Sequence, residues 1–146
     1  MAQVARIGDK VSGRCRGQYR VWEKIRSDPI WGSDANGNPI IIGYNPVYDW
    51  VYYWEEGSVT GEISTGSSTV KVNGKGVARI GDQVNLIKHY AHNDHLDSLN
   101  VVGTITSGSS SVKANNQKIA YVGSTLEAQG CSGLTIESGS PNVHVN

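Results

Sequence analysis

The sequence predicts an all-β fold made of three pseudo-three-fold β-hairpin repeats, and the repeats themselves are the first reason. Residues 65–82 and residues 107–124 align with each other over their whole length without a gap. Residues 138–146, placed directly before residues 1–9, form a third copy of the same pattern. A chain that divides one repeat between its two ends closes a ring, so the termini are predicted to be neighbours.

Composition is the second reason for this fold class. The chain has 146 residues, which is the size of one domain. Its 18 glycines and 38% hydrophobic residues favour a small, turn-rich β protein over a helical one. We therefore expect a single domain over residues 1–146, in which residues 16–56 form an aromatic-rich insertion that interrupts the repeats.

Each repeat is predicted to form one hairpin. A Gly-Ser turn signal precedes a short run in which apolar and polar residues alternate, which is the period of a strand with one buried face. Tight turns follow at Asn73 and Asn115, since Asn tolerates positive φ, and the third turn falls at the chain break. A second apolar strand then returns, and three such hairpins can share a core. The alternating runs contain Val70, Val72, Val112, Ala114, Val143 and Val145.

Charge and hydropathy exclude several classes of partner. The formal net charge is zero and there is no basic block, so nucleic-acid binding has no electrostatic footprint. No apolar stretch approaches the length that spans a membrane, and the N-terminus lacks the layout of a secretory signal. We expect synthesis in the cytoplasm and any exit through a dedicated machine.

Soft metal ligands recur in phase with the repeats. Cys15, His89 and Cys131 follow the Gly-Asp or Gly-Ser that ends each repeat, at nearly the same offset. His92 and His95 offer a fourth ligand, and the spacing of His89 and His92 is common in zinc pairs. Two Cys and two His would close a tetrahedral shell without room for water. The sequence therefore predicts one structural metal ion, with zinc first and iron second.

The same residues allow simpler roles. The two cysteines could form a disulfide, although cytosolic synthesis disfavours one, and either cysteine could be an ordinary buried side chain. The three clustered histidines could belong to a solvated loop. His144 takes the outward strand position of Lys71 and Lys113, so we expect it to be exposed and not a ligand.

Several segments carry a family resemblance. ARIGD, GSSTVKVNGKGVARIGD, GTITSGSSSV and ESGSPNVHV resemble the PAAR-repeat family, named after the motif proline-alanine-alanine-arginine. The resemblance covers residues 1–15 and about 57–146. It implies a short three-sided cone with a metal near the sharp vertex and a blunt base docked on a trimeric β-helical spike. Such spikes are the VgrG-like proteins of type VI secretion systems and the central spikes of contractile phage tails.

The resemblance also implies residue roles. It places ligands at Cys15 and Cys131, and takes His89 with His92 or His95 from the second repeat. The family typically uses three His and one Cys, so Cys15 departs from its pattern, and the namesake proline is absent as well. One chain would dock on a trimer through its base hairpins, at Val70, Val72, Asn73, Val112, Asn115, Val143 and Val145.

The implied role is structural. The protein would sharpen the spike for mechanical passage through a target outer membrane, as part of a virion tail tip or a secreted injection apparatus. No HExxH, GxSxG or P-loop motif is present, so we expect no enzymatic activity.

The insertion at residues 16–56 holds all four tryptophans and five of the seven tyrosines. A strong turn signal at residues 33–39 lies between two β-prone runs, which predicts an inserted hairpin or an extended arm. We expect its aromatic side chains to pack on the flank of the cone and enlarge a thin core. The alternative is an exposed arm that touches a neighbouring tail protein or a cell-surface glycan. In that case the chain could act as a carbohydrate-binding or surface-binding module.

Overall fold

The computed structural model describes residues 1–146 and contains strands but no helix, so the all-β prediction is confirmed. None of its segments is a helix with the length and apolar character needed to cross a membrane. The strands are β1 (Ala2–Gln3), β2 (Lys10–Ser33), β3 (Pro39–Ile63), β4 (Lys71–Val72), β5 (Lys75–Gly76), β6 (Gln83–His89), β7 (Asn100–Ile105), β8 (Lys113–Ala114), β9 (Gln117–Lys118), β10 (Leu126–Glu127), β11 (Cys131–Ile136) and β12 (His144–Val145).

The strands form one large sheet and three small hairpins. The large sheet has the order β10-β7-β6-β3-β2-β11, and all of its pairs are antiparallel. A bridge between Thr125 and Thr135 brings the two outer strands together, so the sheet is nearly closed on itself. The hairpins are β4–β5, β8–β9 and β1–β12. In the last of these Ala2 pairs with Val145, so the chain termini are neighbours, as the divided repeat predicts.

Three alanines at equivalent repeat positions join the hairpins. The amide of Ala5 donates to the carbonyl of Ala120 at 3.0 Å. The amides of Ala78 and Ala120 donate to the carbonyls of Ala5 and Ala78, each at 2.9 Å. All three residues are fully buried, where an unpaired backbone amide would be costly. The bonds form a closed ring that joins the three hairpins. We call the hairpin end of the molecule the base.

The core consists of two apolar clusters. The smaller cluster lies under the base hairpins, and the larger one fills the nearly closed sheet. Burial of each valine, leucine or isoleucine contributes about 1.5–3 kcal/mol, so these clusters supply most of the folding energy. The smaller cluster comprises Val4, Val77, Ala114, Ile119 and Val145. The largest side chains of the other cluster are Ile63, Leu86, Ile105, Leu126, Leu134 and Ile136.

Strands β2 and β3 continue far beyond the rest of the sheet. They pair from Lys10 with Glu62 to Ser33 with Pro39, whereas β11 flanks β2 only up to Cys15. We call residues 16–56 the arm, and the end of the sheet from which it projects the tip. At 3.3 Å per residue the arm is about 60 Å long. Its turn is closed by Asp34, whose carboxylate accepts the amides of Asn36 and Asn38 at 2.9 Å.

The predicted inserted hairpin is therefore present, but its aromatic side chains do not pack on the flank of the cone. Trp22, Trp31 and Trp54 are 56%, 61% and 56% exposed. The expectation of flank packing is wrong because the two strands pair only with each other along most of the arm, and no other element lies beneath them.

Candidate functional site

The two cysteines meet at the tip. Cys15 on β2 faces Cys131 on β11, with 3.9 Å between their Cα atoms, and the two form a disulfide. Cys15 is buried, so the bond lies on the inner side of the sheet. The predicted convergence of the two cysteines is present, but they form the disulfide that is less favourable for a protein expected to be made in the cytoplasm.

His89 lies on the opposite face from the cysteines. It pairs with Ser58, one residue away from the row that holds Cys15 and Gly57. Its Nε2 lies 2.9 Å from the Thr60 hydroxyl in an exposed position. The inward neighbour is Tyr90, whose ring lies so close to Gly57 that a Cβ there would be 2.6 Å from Tyr90 Cδ1. Tyr90 therefore covers the row of the cysteines, where the second-repeat ligand was expected.

The histidine segment crosses the tip. We call residues 90–99 the tip loop, because it leaves β6 on one side of β3 and reaches the free edge of β2 on the other. The amide of Leu96 donates to the carbonyl of Gln18 at 2.9 Å, and that of Arg20 donates to Asp94 at 3.4 Å. The loop thus pairs with the edge of β2 just beyond the point where β11 ends, and it covers the inner side of the tip.

Glu55 on β3 holds two histidines of the tip loop. Its carboxylate lies 2.6 Å from His95 Nε2 and 2.9 Å from His92 Nδ1, and it also accepts the backbone amide of His92 at 3.0 Å. Burial raises the pKa of Glu55, but the hydrogen bonds from His92 and His95 outweigh burial and lower that pKa to about 2. Glu55 is therefore a carboxylate at neutral pH and fixes the loop across the arm.

A second carboxylate, Asp97, completes this network. His95 stacks on Tyr90 with ring centres 3.8 Å apart, and its Nδ1 lies 3.3 Å from Asp97 Oδ1. Lys88 and Tyr90 both donate to Asp97 Oδ2, at 2.8 and 3.2 Å. Burial raises the pKa of Asp97, but the Lys88 hydrogen bond outweighs it and the net shift is downward. Burial and the charge of Asp97 raise the pKa of Tyr90 to about 12.

Sequence reasoning missed Lys88, Tyr90, Glu55 and Asp97. One signal could have found Lys88. It lies seven residues after Gly81, as Cys15 lies seven residues after Gly8, whereas His89 is one residue further. Cys131 also lies eight residues after its glycine, Gly123, but an irregularity in β11 between Ser132 and Thr135 returns it to the row of Cys15. A shift of one residue on a strand moves a side chain to the other face. Lys88, which is buried, is thus the inward counterpart of Cys15.

The tip residues as arranged do not fit the predicted metal ion. A disulfide leaves neither cysteine with a thiolate, and thiolates are what a zinc ion binds. His89 faces outward, while His92 and His95 bind Glu55. No group of three or more His, Cys, Asp or Glu side chains is placed to hold one ion. The metal remains a prediction that requires free thiols.

The base presents three equivalent valines. Val70, Val112 and Val143 occupy the same position in the three repeats and are 37%, 37% and 38% exposed. The carbonyl of each accepts a backbone amide from the returning strand of its own hairpin, at 3.0–3.1 Å. One chain therefore repeats one apolar surface feature three times around its base.

The other predicted base contacts either bind neighbouring side chains or pack against the smaller cluster. Asn73 Oδ1 accepts Arg6 Nη1 at 3.0 Å and the Ser140 hydroxyl at 2.6 Å. Asn115 Oδ1 accepts Arg79 Nη1 at 3.0 Å. Val145 is buried in the smaller cluster, against which the half-buried Val72 also packs. The two asparagines join neighbouring repeats, and their side chains hold the hairpins together.

Comparison with known proteins gives one family. The sequence model described as the PAAR motif matches residues 55–132, which is more than half of the chain. The match begins at the end of the arm, and it includes the tip loop and Cys131. No curated protein matches the chain.

Proposed function

This chain belongs to the PAAR motif family, and from that premise we propose that it caps a trimeric β-helical spike of a contractile injection machine. The family suggests a spike-tip role within secreted or virion injection machinery. The base would bind the spike, and the tip and arm would lead toward the target envelope. The role is mechanical, and it requires no reaction and no nucleic acid.

The observation that carries this proposal is the set of three equivalent valines at the base. A trimer ends in three identical surfaces, and a monomer can match all three only if it repeats one feature three times. Val70, Val112 and Val143 do so with equal exposure. Exposed apolar side chains of this kind gain about 25 cal/mol for each Å² that a partner covers.

The construction of the base supports docking as a rigid unit. The buried alanine ring and the hydrogen bonds of Asn73 and Asn115 tie each hairpin to its neighbours before any partner binds. Preorganisation of this kind reduces the ordering cost of association. A cap would also cover the open strand ends of a β-helical spike, which are otherwise prone to edge-to-edge aggregation.

Copurification with a trimeric spike protein tests the proposal. Val112→Asp places a charge in one of the three equivalent positions, and we expect it to weaken retention on the spike at least tenfold. Val102→Asp is the matched control, since Val102 is 58% exposed on β7 and lies away from the base. Equal retention of both variants would show that the base hairpins do not bind the spike.

A second candidate function is a surface-binding module that uses the arm. The exposure of its aromatic side chains favours this function, because large apolar groups at a protein surface commonly mark an interaction site. The two functions use opposite ends of the molecule. An arm variant that keeps spike retention but loses surface binding would show that both exist in one chain.

A further inference from the structure

The arm separates its side chains between two faces. Neighbours on a strand alternate between faces and paired residues share one, so Cys15, Glu55 and Tyr53 define an inner face. When the register is followed through the bulges at Ile25 and Ile42, seven large aromatic residues lie on the opposite, outer face. Every tryptophan of the chain is among them. The seven are Trp22, Trp31, Tyr44, Tyr48, Trp50, Tyr52 and Trp54.

Contacts along the outer face confirm this assignment. Trp22 meets Trp50 edge to face, with ring centres 5.3 Å apart. The guanidinium of Arg20 lies 3.9 Å from the centre of the Trp50 ring, and that of Arg16 lies 4.6 Å from the Trp54 ring. Aromatic rings on β3 thus alternate with basic side chains on β2 in one continuous surface.

Charge follows the same division. Arg16, Arg20 and Lys24 are on the outer face by alternation along β2. The carboxylates on the paired strands of the arm's free part lie on the inner face, where Glu23 accepts the Tyr53 hydroxyl, while Asp34 lies in the turn. Asp49 pairs with Glu23, and Asp28 shares the inner face. Two carboxylates neighbour the outer face, both near the arm's root: Glu56 lies beside Arg14 at 3.8 Å, and Asp94 of the tip loop lies beside Arg20 at 3.2 Å. The outer face is therefore aromatic along nearly its whole length, and its basic residues lie on the half nearer the tip.

We propose that the outer face of the arm binds the surface of an anionic lipid bilayer. Tryptophan and tyrosine are enriched where membranes meet water, because their rings are apolar and their N–H and O–H groups stay hydrated. Basic residues near an anionic leaflet each contribute attraction, and their apolar stems can lie against lipid. Both preferences meet on one face, and most of the arm's carboxylates, which would be repelled, lie on the other.

The backbone of the arm requires that it lie flat. Beyond Val21 and Val51 neither strand has another partner, so both edges carry unpaired N–H and C=O groups. Such edges do not occur in the hydrocarbon region of a bilayer, where they would lack water. A ribbon that lies in the headgroup region keeps both edges and its polar turn hydrated, while its aromatic rings reach the acyl boundary.

This surface is independent of the base. It lies at the opposite end of β2, so lipid binding needs no spike, and spike capping needs no lipid. The two proposals can therefore fail separately.

Tryptophan fluorescence of the full chain provides the test, since all four tryptophans lie in the arm. The probes are vesicles of phosphatidylcholine with phosphatidylglycerol, vesicles of phosphatidylcholine alone, and soluble dextran sulfate. We expect a blue shift with the anionic vesicles that weakens as salt is added. Absence of a shift at every lipid concentration would overturn the proposal.

A matched pair of charge reversals locates the surface. Lys24→Glu changes the outer face, and Arg26→Glu makes the same charge change on the inner face, where Arg26 pairs with Asp28 at 2.9 Å. Since each basic residue contributes about 1 kcal/mol near an anionic leaflet, we expect Lys24→Glu to weaken vesicle binding about tenfold or more. We expect Arg26→Glu to change the vesicle affinity less than about twofold, because its side chain is further from the membrane and its attraction to the anionic lipids is more strongly screened.

Two results would contradict this surface. Equal losses from both variants would mean that net charge and not the outer face governs binding. The second result is a full fluorescence response to dextran sulfate. If dextran sulfate also displaces the protein from vesicles, and if Lys24→Glu weakens its binding as much as it weakens vesicle binding, the partner is a soluble anionic polysaccharide. Thermal unfolding of both variants at the wild-type temperature shows that the cone is intact, and equal tryptophan emission of the two variants without vesicles shows that the arm keeps its structure.

Discussion

Two arginines at equivalent repeat positions, Arg6 and Arg79, each form an ion pair within their own repeat and a hydrogen bond to a neighbouring one. Arg6 binds the carboxylate of Asp9 through Nε and Nη2, each at 3.0 Å, and its remaining nitrogen reaches Asn73 of another hairpin. Arg79 makes the same bonds to Asp82 and Asn115. The Ala-Arg-x-Gly-Asp motif is thus a side-chain bridge around a turn that also links neighbouring repeats. The arginine guanidinium donates to both oxygens of the Asp carboxylate and to the Asn side chain at once, whereas a lysine ammonium lacks the planar fork that binds a carboxylate through two parallel hydrogen bonds.

Removal of this bridge should be costly. Arg6→Ala leaves the carboxylate of Asp9, which is 4% exposed, without its main partner. Breaking one side of a buried ion pair costs about 3–5 kcal/mol, and we expect a loss near the lower end because Ser138 still donates to Asp9. Urea unfolding measures it. Arg26→Ala is the control, since its exposed pair with Asp28 contributes less than about 1 kcal/mol. Similar losses of unfolding free energy from the two variants would mean that the Arg6–Asp9 ion pair stabilises the fold no more than an exposed pair does.

Gly57 shows how tightly the strands approach one another at the tip. A Cβ at this position would collide with the backbone carbonyl of His89 and would lie 2.6 Å from the ring of Tyr90. Overpacking of this kind costs about 1–3 kcal/mol, so Gly57→Ala should lower the free energy of unfolding by that amount. Gly43→Ala on the arm should be nearly neutral, because its nearest atom would be 3.6 Å away. An unchanged stability of Gly57→Ala would show that β3 and β6 are further apart than described.

At the scale of elements, the arm is a separate structural unit attached to the cone. Its free part contributes nothing to either apolar cluster, and its strands contact only each other. Replacement of residues 22–50 by Asn-Gly would join the paired residues Val21 and Val51 through a two-residue turn that suits a hairpin. We expect the melting temperature to stay within about 4 °C of the full chain, which corresponds to about 1 kcal/mol. A large fall would mean that the arm folds back onto the cone in solution.

The sequence predicts the elements better than it predicts their surroundings. The hairpins, their turns at Asn73 and Asn115 and the strand-turn-strand pattern of the arm are local signals, and all of them are present. The exposure of Trp22 and Trp54 was not predictable in the same way, because it depends on whether another element covers the ribbon. His89 fell on the wrong face because an offset from a glycine is a weak guide when one residue reverses orientation.

At the scale of the whole molecule, the disulfide is the longest-range covalent constraint. It joins residues 116 apart in sequence, so reduction frees most of the chain in the unfolded state. Loss of a native disulfide costs about 2–5 kcal/mol, although the share due to chain entropy is model-dependent. We expect Cys131→Ser with Cys15→Ser to lower the unfolding midpoint in urea accordingly. A stability equal to that of the oxidised wild-type chain would show that the network around Glu55 and Asp97 holds the tip without help.

Metal content separates the two chemistries that the cysteines allow. In the oxidised chain the sulfurs are bonded to each other, so we expect elemental mass spectrometry to find no zinc or iron after a chelator wash. A chelator should then leave the melting temperature unchanged, because the two cysteines that would bind an ion are bonded to each other. Retention of one ion per chain together with two free thiols would instead establish the metal site predicted from the repeat-phased ligands. For His95 to be a ligand the tip loop would have to rearrange, since its two ring nitrogens already bind Asp97 and Glu55.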